Sequence, residues 1–275
     1  MTGITNKRVR EIAALKDARV RHTAKRFLIE GSLCVEEALK AGFPLEQVFH
    51  TAKFEESDAG QRILNQCNSC QVQVDRMPYK ALQRISSQEH SQGILAVGIL
   101  RQDSFDPAGT GSEYLDDEDI LLVIPYLSDP GNLGTIIRTA HTFNVRSIWV
   151  GEGSVDPWHP KVVRGSMGSL FHLRVCRVAS LKEQVSALAA PGGWQILALD
   201  PTGQFVDQRL PELLESGKLV VILGHEAEGI PQELLDICDH RIALGRPETG
   251  VGSLNVGIAA GILLYLLRFG GSAAI

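Results

Sequence analysis

Ile120-Leu121-Leu122-Val123-Ile124-Pro125-Tyr126-Leu127-Ser128-Asp129-Pro130-Gly131-Asn132-Leu133-Gly134-Thr135-Ile136-Ile137-Arg138 joins an unbroken apolar run to a helix start. Five consecutive aliphatic residues with no polar alternation are the pattern of a strand covered on both faces, as in parallel sheets flanked by helices. Gly131 permits a sharp turn, and Asn132 is the candidate cap of a helix over Leu133–Phe143. The same alternation continues downstream. Strands are expected at Ser147–Val150, Leu173–Cys176, Gln195–Leu199, Leu219–Leu223 and Arg241–Leu244, with helices at Leu181–Ala189, Pro231–Ile237 and Leu254–Phe269. The result is an α/β fold with a mostly parallel sheet, whose ligands belong in the loops at the carboxyl ends of the strands.

Twenty-one of the 27 glycines lie beyond residue 100, so tight turns concentrate in this second part. Residues 1–100 read as a smaller α/β layer domain. A helical pattern at Val9, Ile12 and Ala13 precedes the apolar run Phe27-Leu28-Ile29, a helix capped at Ser32 and ended by Gly42, and short strands at Gln47–Phe49, Val72–Val74 and Gly93–Val97. Further helices are expected near 56–65 and 78–85. Between the two parts, seven acids over residues 101–120 with Pro107, Gly109 and Gly111 make 101–118 an acidic linker and leave 119–275 as the second domain.

The chain of 275 residues carries a net charge of −5, which argues against a protein that coats nucleic acid. Its distribution is uneven: eight basic and three acidic residues give the first 30 positions +5, leaving −10 for the rest. A basic end on an acidic body is the footprint of phosphate-steered contact, with Arg8, Arg10, Arg19 and Arg21 as candidate phosphate contacts and a solvated charged helix as the plain alternative. The longest apolar run, Val256–Leu267, has twelve residues, short of the roughly 18–20 that span a bilayer. No membrane association is expected, and with no secretion signal at the start of the chain a cytoplasmic location follows. Five cysteines are too sparse for a disulfide scaffold and read as reduced thiols.

Two more loops could carry chemistry. Leu223-Gly224-His225-Glu226-Ala227-Glu228-Gly229-Ile230-Pro231 leaves an apolar strand with two glycines five apart, which lets backbone bend closely around a ligand, with a carboxylate between them. Arg241 to Gly257 holds a glycine-rich loop closed by Ser253, a candidate N-cap, at the start of the final helix. Each alone is an ordinary connection. Together, in order and each at a strand end, they resemble the three motifs of the SpoU (TrmH) family of S-adenosylmethionine-dependent RNA 2′-O-ribose methyltransferases, within the SPOUT superfamily. The resemblance covers about 119–270 and rests on Asn132/Gly134/Arg138, Gly224/Glu226/Gly229 and Ser253 to Val256, with Arg164-Gly165-Ser166-Met167-Gly168-Ser169-Leu170-Phe171 similar to the family's segment between motifs. Phe27-Leu28-Ile29-Glu30-Gly31 and Gln92-Gly93-Ile94-Leu95-Ala96-Val97 resemble the substrate-binding domain of its ribosomal-RNA-modifying members, which shares the fold of small RNA-binding ribosomal proteins.

The resemblance implies a C-terminal trefoil-knotted methyltransferase domain and a site completed by a homodimer. It places S-adenosylmethionine against the chain near Leu199, Gly224, Ile242, Leu244 and Leu254. It makes Arg138 the central catalytic residue, positioned by Asn132 and Glu226, with Ser253 and Asn255 shaping the floor of the knot. The motif-three loop is longer than in many members, with Ala243 to Gly250 intervening and Gly252 and Gly257 where other residues are common, so the cofactor contacts there are open. The implied substrate is structured RNA, ribosomal first and transfer RNA as the alternative. A catalytically idle RNA-binding or ribosome-assembly protein is the reading from another class, and a Rossmann oxidoreductase is disfavoured because no G-x-G-x-x-G is present. Cys67 and Cys70 have zinc-like spacing but no second pair, so no metal is expected. His159 and His225 read as structural histidines, and Trp149, Trp158 and Trp194 as core or interface anchors.

Overall fold

The computed structural model describes residues 4–100, 115, 119–189, 193–215, 217–225, 227–245 and 254–270. The linker expected at 101–118 lies outside them except for Leu115. Packing divides the chain into two units: Met1–Arg101 with Asp156–His172, and Gln102–Val155 with Leu173–Ile275.

In the first unit, α1 (Asn6–Ala13) is capped by Thr5 and α2 (Ala18–Ala24) by Asp17, with a 3₁₀ turn at Ala14–Lys16 between them. There follow β1 (Arg26–Glu30), α3 (Ser32–Lys40), β2 (Leu45–His50), α4 (Ala52–Glu55), α5 (Asp58–Ser69), β3 (Gln73–Arg76), α6 (Tyr79–Ile85) and β4 (Ile94–Ile99). The sheet order is β1-β4-β2-β3, with β4 antiparallel to both neighbours and β2 parallel to β3. Val9, Ile12 and Leu15 fill a core with Leu28, Phe49, Leu82 and Leu95. Glu30, buried at the end of β1, accepts hydrogen bonds from Ser86 Oγ (2.6 Å) and Ser87 N (3.0 Å), and Gln92 Oε1 accepts one from Ser32 N (2.9 Å). The two strings that resembled a substrate-binding domain thus fasten the loop before β4 to the end of β1.

The segment Asp156–His172, which the sequence reading placed in the second domain, packs with the first unit. It holds α8 (Pro160–Gly165) and a 3₁₀ turn at Ser169–His172. Trp158 lies 4.7 Å from Phe27 between ring centroids, and Phe171 lies 5.2 Å from Phe43. Aromatic packing and one buried ion pair, Arg21 with Asp156, decide its allegiance.

The second unit is a six-stranded parallel sheet in the order β10-β8-β9-β5-β6-β7. In chain order its elements are β5 (Ile120–Ile124), α7 (Pro130–Thr142), β6 (Ser147–Gly151), β7 (Arg174–Val178), α9 (Leu181–Leu188), β8 (Gln195–Phe205), α10 (Val206–Glu215), β9 (Leu219–Leu223), α11 (Gln232–Leu235), β10 (His240–Ala243) and α12 (Val256–Phe269). Leu121, Val123, Ile196, Ala198, Val220 and Ile222 carry one face of the sheet into a core with Trp149, Val185 and Trp194. The α/β class and the parallel sheet match expectation. α10, which holds Pro211 in its interior, was not expected. β8 runs six residues past its expected end because its register against β10 jumps from Ala198↔Arg241 to Gln204↔Ile242, letting Leu199–Gly203 bulge out of the ladder. A Cβ at Gly203 would lie 2.4 Å from the Arg241 carbonyl, so only glycine closes this bulge.

Candidate active site

All six strands of the second unit point the same way, so their carboxyl ends share one edge. Leu199, Gly224 and Leu244 lie there, at or just beyond the ends of the paired stretches of three neighbouring strands, β8, β9 and β10, and all three are partly buried. Of the other expected cofactor residues, Ile242 is fully buried and can offer only backbone, while Leu254 and Asn255 are exposed at the start of α12. Glu226 and Ser253 lie outside the described residues. Apolar side chains beside strand-end backbone suit a flat adenine ring, and the arrangement fits S-adenosylmethionine in that respect.

Two capping expectations are corrected. α7 begins three residues earlier than expected, at Pro130, because Asp129 caps it: its Oδ1 accepts from Gly131 N and Asn132 N, and Pro130 fits the first helical position, which has no N–H to satisfy. α12 is capped by Asn255, whose Oδ1 accepts from Gly257 N (3.0 Å) and Ile258 N (3.3 Å). Freed from capping, Asn132 pairs across motifs. Asn255 Nδ2 donates to Asn132 Oδ1 at 2.9 Å. The two backbone donors fix which end of the Asn255 amide is oxygen, so the bond to Asn132 has a defined direction. A Cβ at Gly257 would sit 3.0 Å from Thr135 Cγ2, so the glycine lets α12 approach α7 at this point. The first and third motifs are locked together here.

Arg138 leaves α7 on the exposed face it shares with Thr135 and Thr142, opposite the buried Leu133, Ile136, Ile137 and Ala140. The described contacts join it to neither Asn132 nor Asn255. His225 Nδ1 accepts from Ala227 N and Glu228 N (both 3.3 Å), which makes that nitrogen the acceptor and folds the turn of the second motif, while the ring packs 5.1 Å from Tyr126. His159 Nδ1 caps α8, accepting from Lys161 N, and burial together with the charge of Arg21 holds its pKa below the ordinary value. Burial pushes the Cys34, Cys67 and Cys238 thiols up to about 11, which keeps them protonated and unreactive near neutral pH.

The expected RNA contacts divide. Arg10 and Arg19 are exposed. Arg8 bonds to Glu46 and Gln47. Arg21 must be withdrawn, because it is 1% exposed and its guanidinium is bound to Asp156 and to the Leu15 and Lys16 carbonyls. Sequence reasoning also missed Tyr126, whose only signal is an aromatic residue directly after a buried strand, and the Asp200–Thr202 turn inside the β8 bulge, where Asp200 Oδ1 accepts from Thr202 N (2.8 Å).

Asn255→Ala removes a cap and the cross-motif bond together. It is expected to lower stability by about 1–2 kcal/mol, read as a fall in urea midpoint at constant m. An unmoved midpoint would show that the pair contributes nothing to the packing of α12.

Comparison with known proteins decides the family. Residues 119–265, more than half of the chain, match the SpoU rRNA Methylase family. The chain belongs to that family. Residues 6–96 of this SpoU-family protein match the MRM3-like substrate binding domain. It is 30% identical to an uncharacterized tRNA/rRNA methyltransferase of Synechocystis, over 98% of this chain and 93% of that protein. It is also 30% identical to the 23S rRNA (guanosine(2553)-2′-O)-methyltransferase RlmP of Bacillus subtilis, over 96% of each. The crystal structure of an AdoMet-bound rRNA methyltransferase from Sinorhizobium meliloti has the same fold, with a TM-score of 0.81 at 24% identity, covering 99% of this chain and 98% of that one. The SpoU family uses S-adenosylmethionine. Among the described residues of this member, no helix is long and apolar enough to cross a membrane.

Proposed function

We propose that this SpoU-family protein methylates a ribose 2′-hydroxyl in structured RNA of the cytoplasm, ribosomal RNA in the first instance and transfer RNA as the alternative. The observation that carries the reading is the Asn255 to Asn132 hydrogen bond, which ties the third of the family's motifs to the helix that carries Arg138. The ribose 2′-O specificity is that named for the Bacillus subtilis relative. S-adenosylmethionine, when bound, supplies a methyl group on a sulfonium centre. Leu199, Gly224, Leu244 and Leu254 would hold it, with the last segment of the chain threaded as a trefoil knot around it.

The target hydroxyl must lose its proton as its oxygen becomes the nucleophile. Arg138 is a poor proton acceptor, because a guanidinium stays protonated below about pH 12. Its fixed charge and forked donors instead grip the neighbouring phosphate and stabilise the developing alkoxide. Asn132 and Glu226 position it. The first domain, 1–100, grips RNA, joined by the acidic stretch 101–118 to the methyltransferase domain, 119–275, with Arg10 and Arg19 as its exposed basic contacts.

A homodimer completes the site in this reading. Ile258, Ile262, Tyr265 and Phe269 form one apolar face of α12, Leu254 stands just before the helix, and each is between 39% and 55% exposed, an arrangement expected of a helix that packs against a second copy. Ile258→Asp is expected to shift the protein from dimer to monomer in analytical ultracentrifugation. An unchanged mass would assign that face to another role.

The direct test is methyl transfer from labelled S-adenosylmethionine to ribosomal and transfer RNA, with ribose-methyl mapping and Arg138→Ala alongside. Label on one ribose, lost in the variant, is the expected result. Absence of S-adenosylmethionine binding, with RNA binding retained, would instead support an idle RNA-binding protein.

A further inference from the structure

The first unit contains a groove of about 970 Å³ that the motifs do not account for. β2 and β3 are parallel and β4 runs against β2, so the residues after β2 and β3 and those before β4 meet at one edge of the sheet. Thr51, Lys53, Phe54, Arg76, Tyr79 and Gln92 are among those that line the opening. Phe54 is buried and gives the groove an apolar wall, whereas Tyr79 remains 47% exposed beside two exposed cations, Lys53 and Arg76. Arg76 faces Glu55 at 3.7 Å, but both partners are largely exposed, and a pair of that kind is worth little and exchanges readily for a phosphate.

We propose that this groove holds an unpaired nucleotide of the RNA substrate, with its base on the Tyr79 ring and its phosphate between Lys53 and Arg76. The proposal rests on the RNA-methylating reading above and names where in the first unit the substrate is recognised. An aromatic face, hydroxyl and amide groups for base edges, and cations for phosphate are the three elements that single-stranded RNA sites combine. The basic N-terminal helices lack the first of these, since residues 1–25 contain no Phe, Tyr or Trp, and their Arg21 is buried against Asp156. Bases within a duplex are stacked and could not reach Tyr79, so the groove selects loops, bulges or ends.

The test uses the full chain, a short single-stranded RNA and a fully paired duplex containing the same strand. Tyr79→Ala is expected to weaken single-strand binding about tenfold, with Tyr79→Phe near wild type and duplex binding unmoved. Lys53→Gln combined with Arg76→Gln should flatten the plot of log affinity against log salt by about 0.7 for each phosphate that is no longer neutralised. S-adenosylmethionine affinity and the melting temperature of each variant should match wild type, which separates weakened RNA recognition from a misfolded domain. Wild-type single-strand affinity in Tyr79→Ala, or an equal loss on duplex, overturns the groove alone. A wild-type protein that binds no RNA overturns the RNA reading and the groove with it.

Discussion

Asp156→Ala will lower the folding free energy by about 3–5 kcal/mol, one of the two largest effects we predict for this chain. Arg21 donates Nε and Nη2 to Asp156 Oδ2 at 2.8 and 2.6 Å, and Nη1 to the Leu15 and Lys16 carbonyls at 3.0 and 2.8 Å. With Asp156 gone, a guanidinium that is 1% exposed would keep two carbonyls and lose its counter-charge, and desolvating a lone cation costs far more than the pair contributes. Asp156 Oδ1 also accepts from Trp158 N at 3.1 Å, so the substitution loosens the aromatic packing of Trp158 on Phe27. Urea unfolding measures the loss. Arg21→Met combined with Asp156→Leu should recover most of it, because two apolar side chains need no partners. A single-variant loss under about 1 kcal/mol would refute the buried-pair account. The same logic predicts that a fragment ending at residue 101 is less stable than the first unit within the whole chain, since it lacks Asp156, Trp158 and Phe171.

Local patterns in the sequence foretold what local physics determines. The aliphatic run Ile120–Ile124 announced a central parallel strand because a strand buried on both faces has no alternation to hide it. The motif residues Asn132 and Asn255 were both singled out, yet their hydrogen bond was invisible, because it depends on Asp129 taking over the cap of α7. α10 was missed because its interior Pro211 reads as a helix breaker, and the second half of β8 because Asp200-Pro201-Thr202-Gly203 has the composition of a turn. Charge counting put Arg21 among the RNA contacts. Composition cannot separate a basic residue on a surface from one matched to an acid 135 positions away. The allegiance of Asp156–His172 was equally hidden, since it is set by Phe27 and Phe43, which lie far away in the chain. The groove beside Tyr79 left one legible trace, an aromatic residue immediately after Arg76-Met77-Pro78 at the end of a strand.

Arg138→Ala is expected to slow methyl transfer about 10²–10³-fold in single-turnover assays while leaving S-adenosylmethionine affinity within twofold of wild type. The magnitude is that of removing one donor aimed at a developing oxyanion, and the separation from cofactor binding follows because Arg138, on the exposed face of α7, is not among Leu199, Gly224, Leu244 and Leu254, the residues that would hold the cofactor. Arg138→Lys discriminates between the two roles open to the residue. If the forked guanidinium grips a phosphate, a lysine keeps the charge but loses the bidentate geometry, so turnover should recover to less than about a tenth of wild type. Were Arg138 the proton acceptor, lysine would be the better base, because its ordinary pKa of about 10.4 lies well below that of arginine. Transfer by the lysine variant would then climb about tenfold per pH unit across the alkaline range as the amine deprotonated. A rate that stays low and does not gain on wild type as the pH rises identifies a positioning charge. A steep alkaline rise confined to the lysine variant would transfer the proton to residue 138 and refute the electrostatic role.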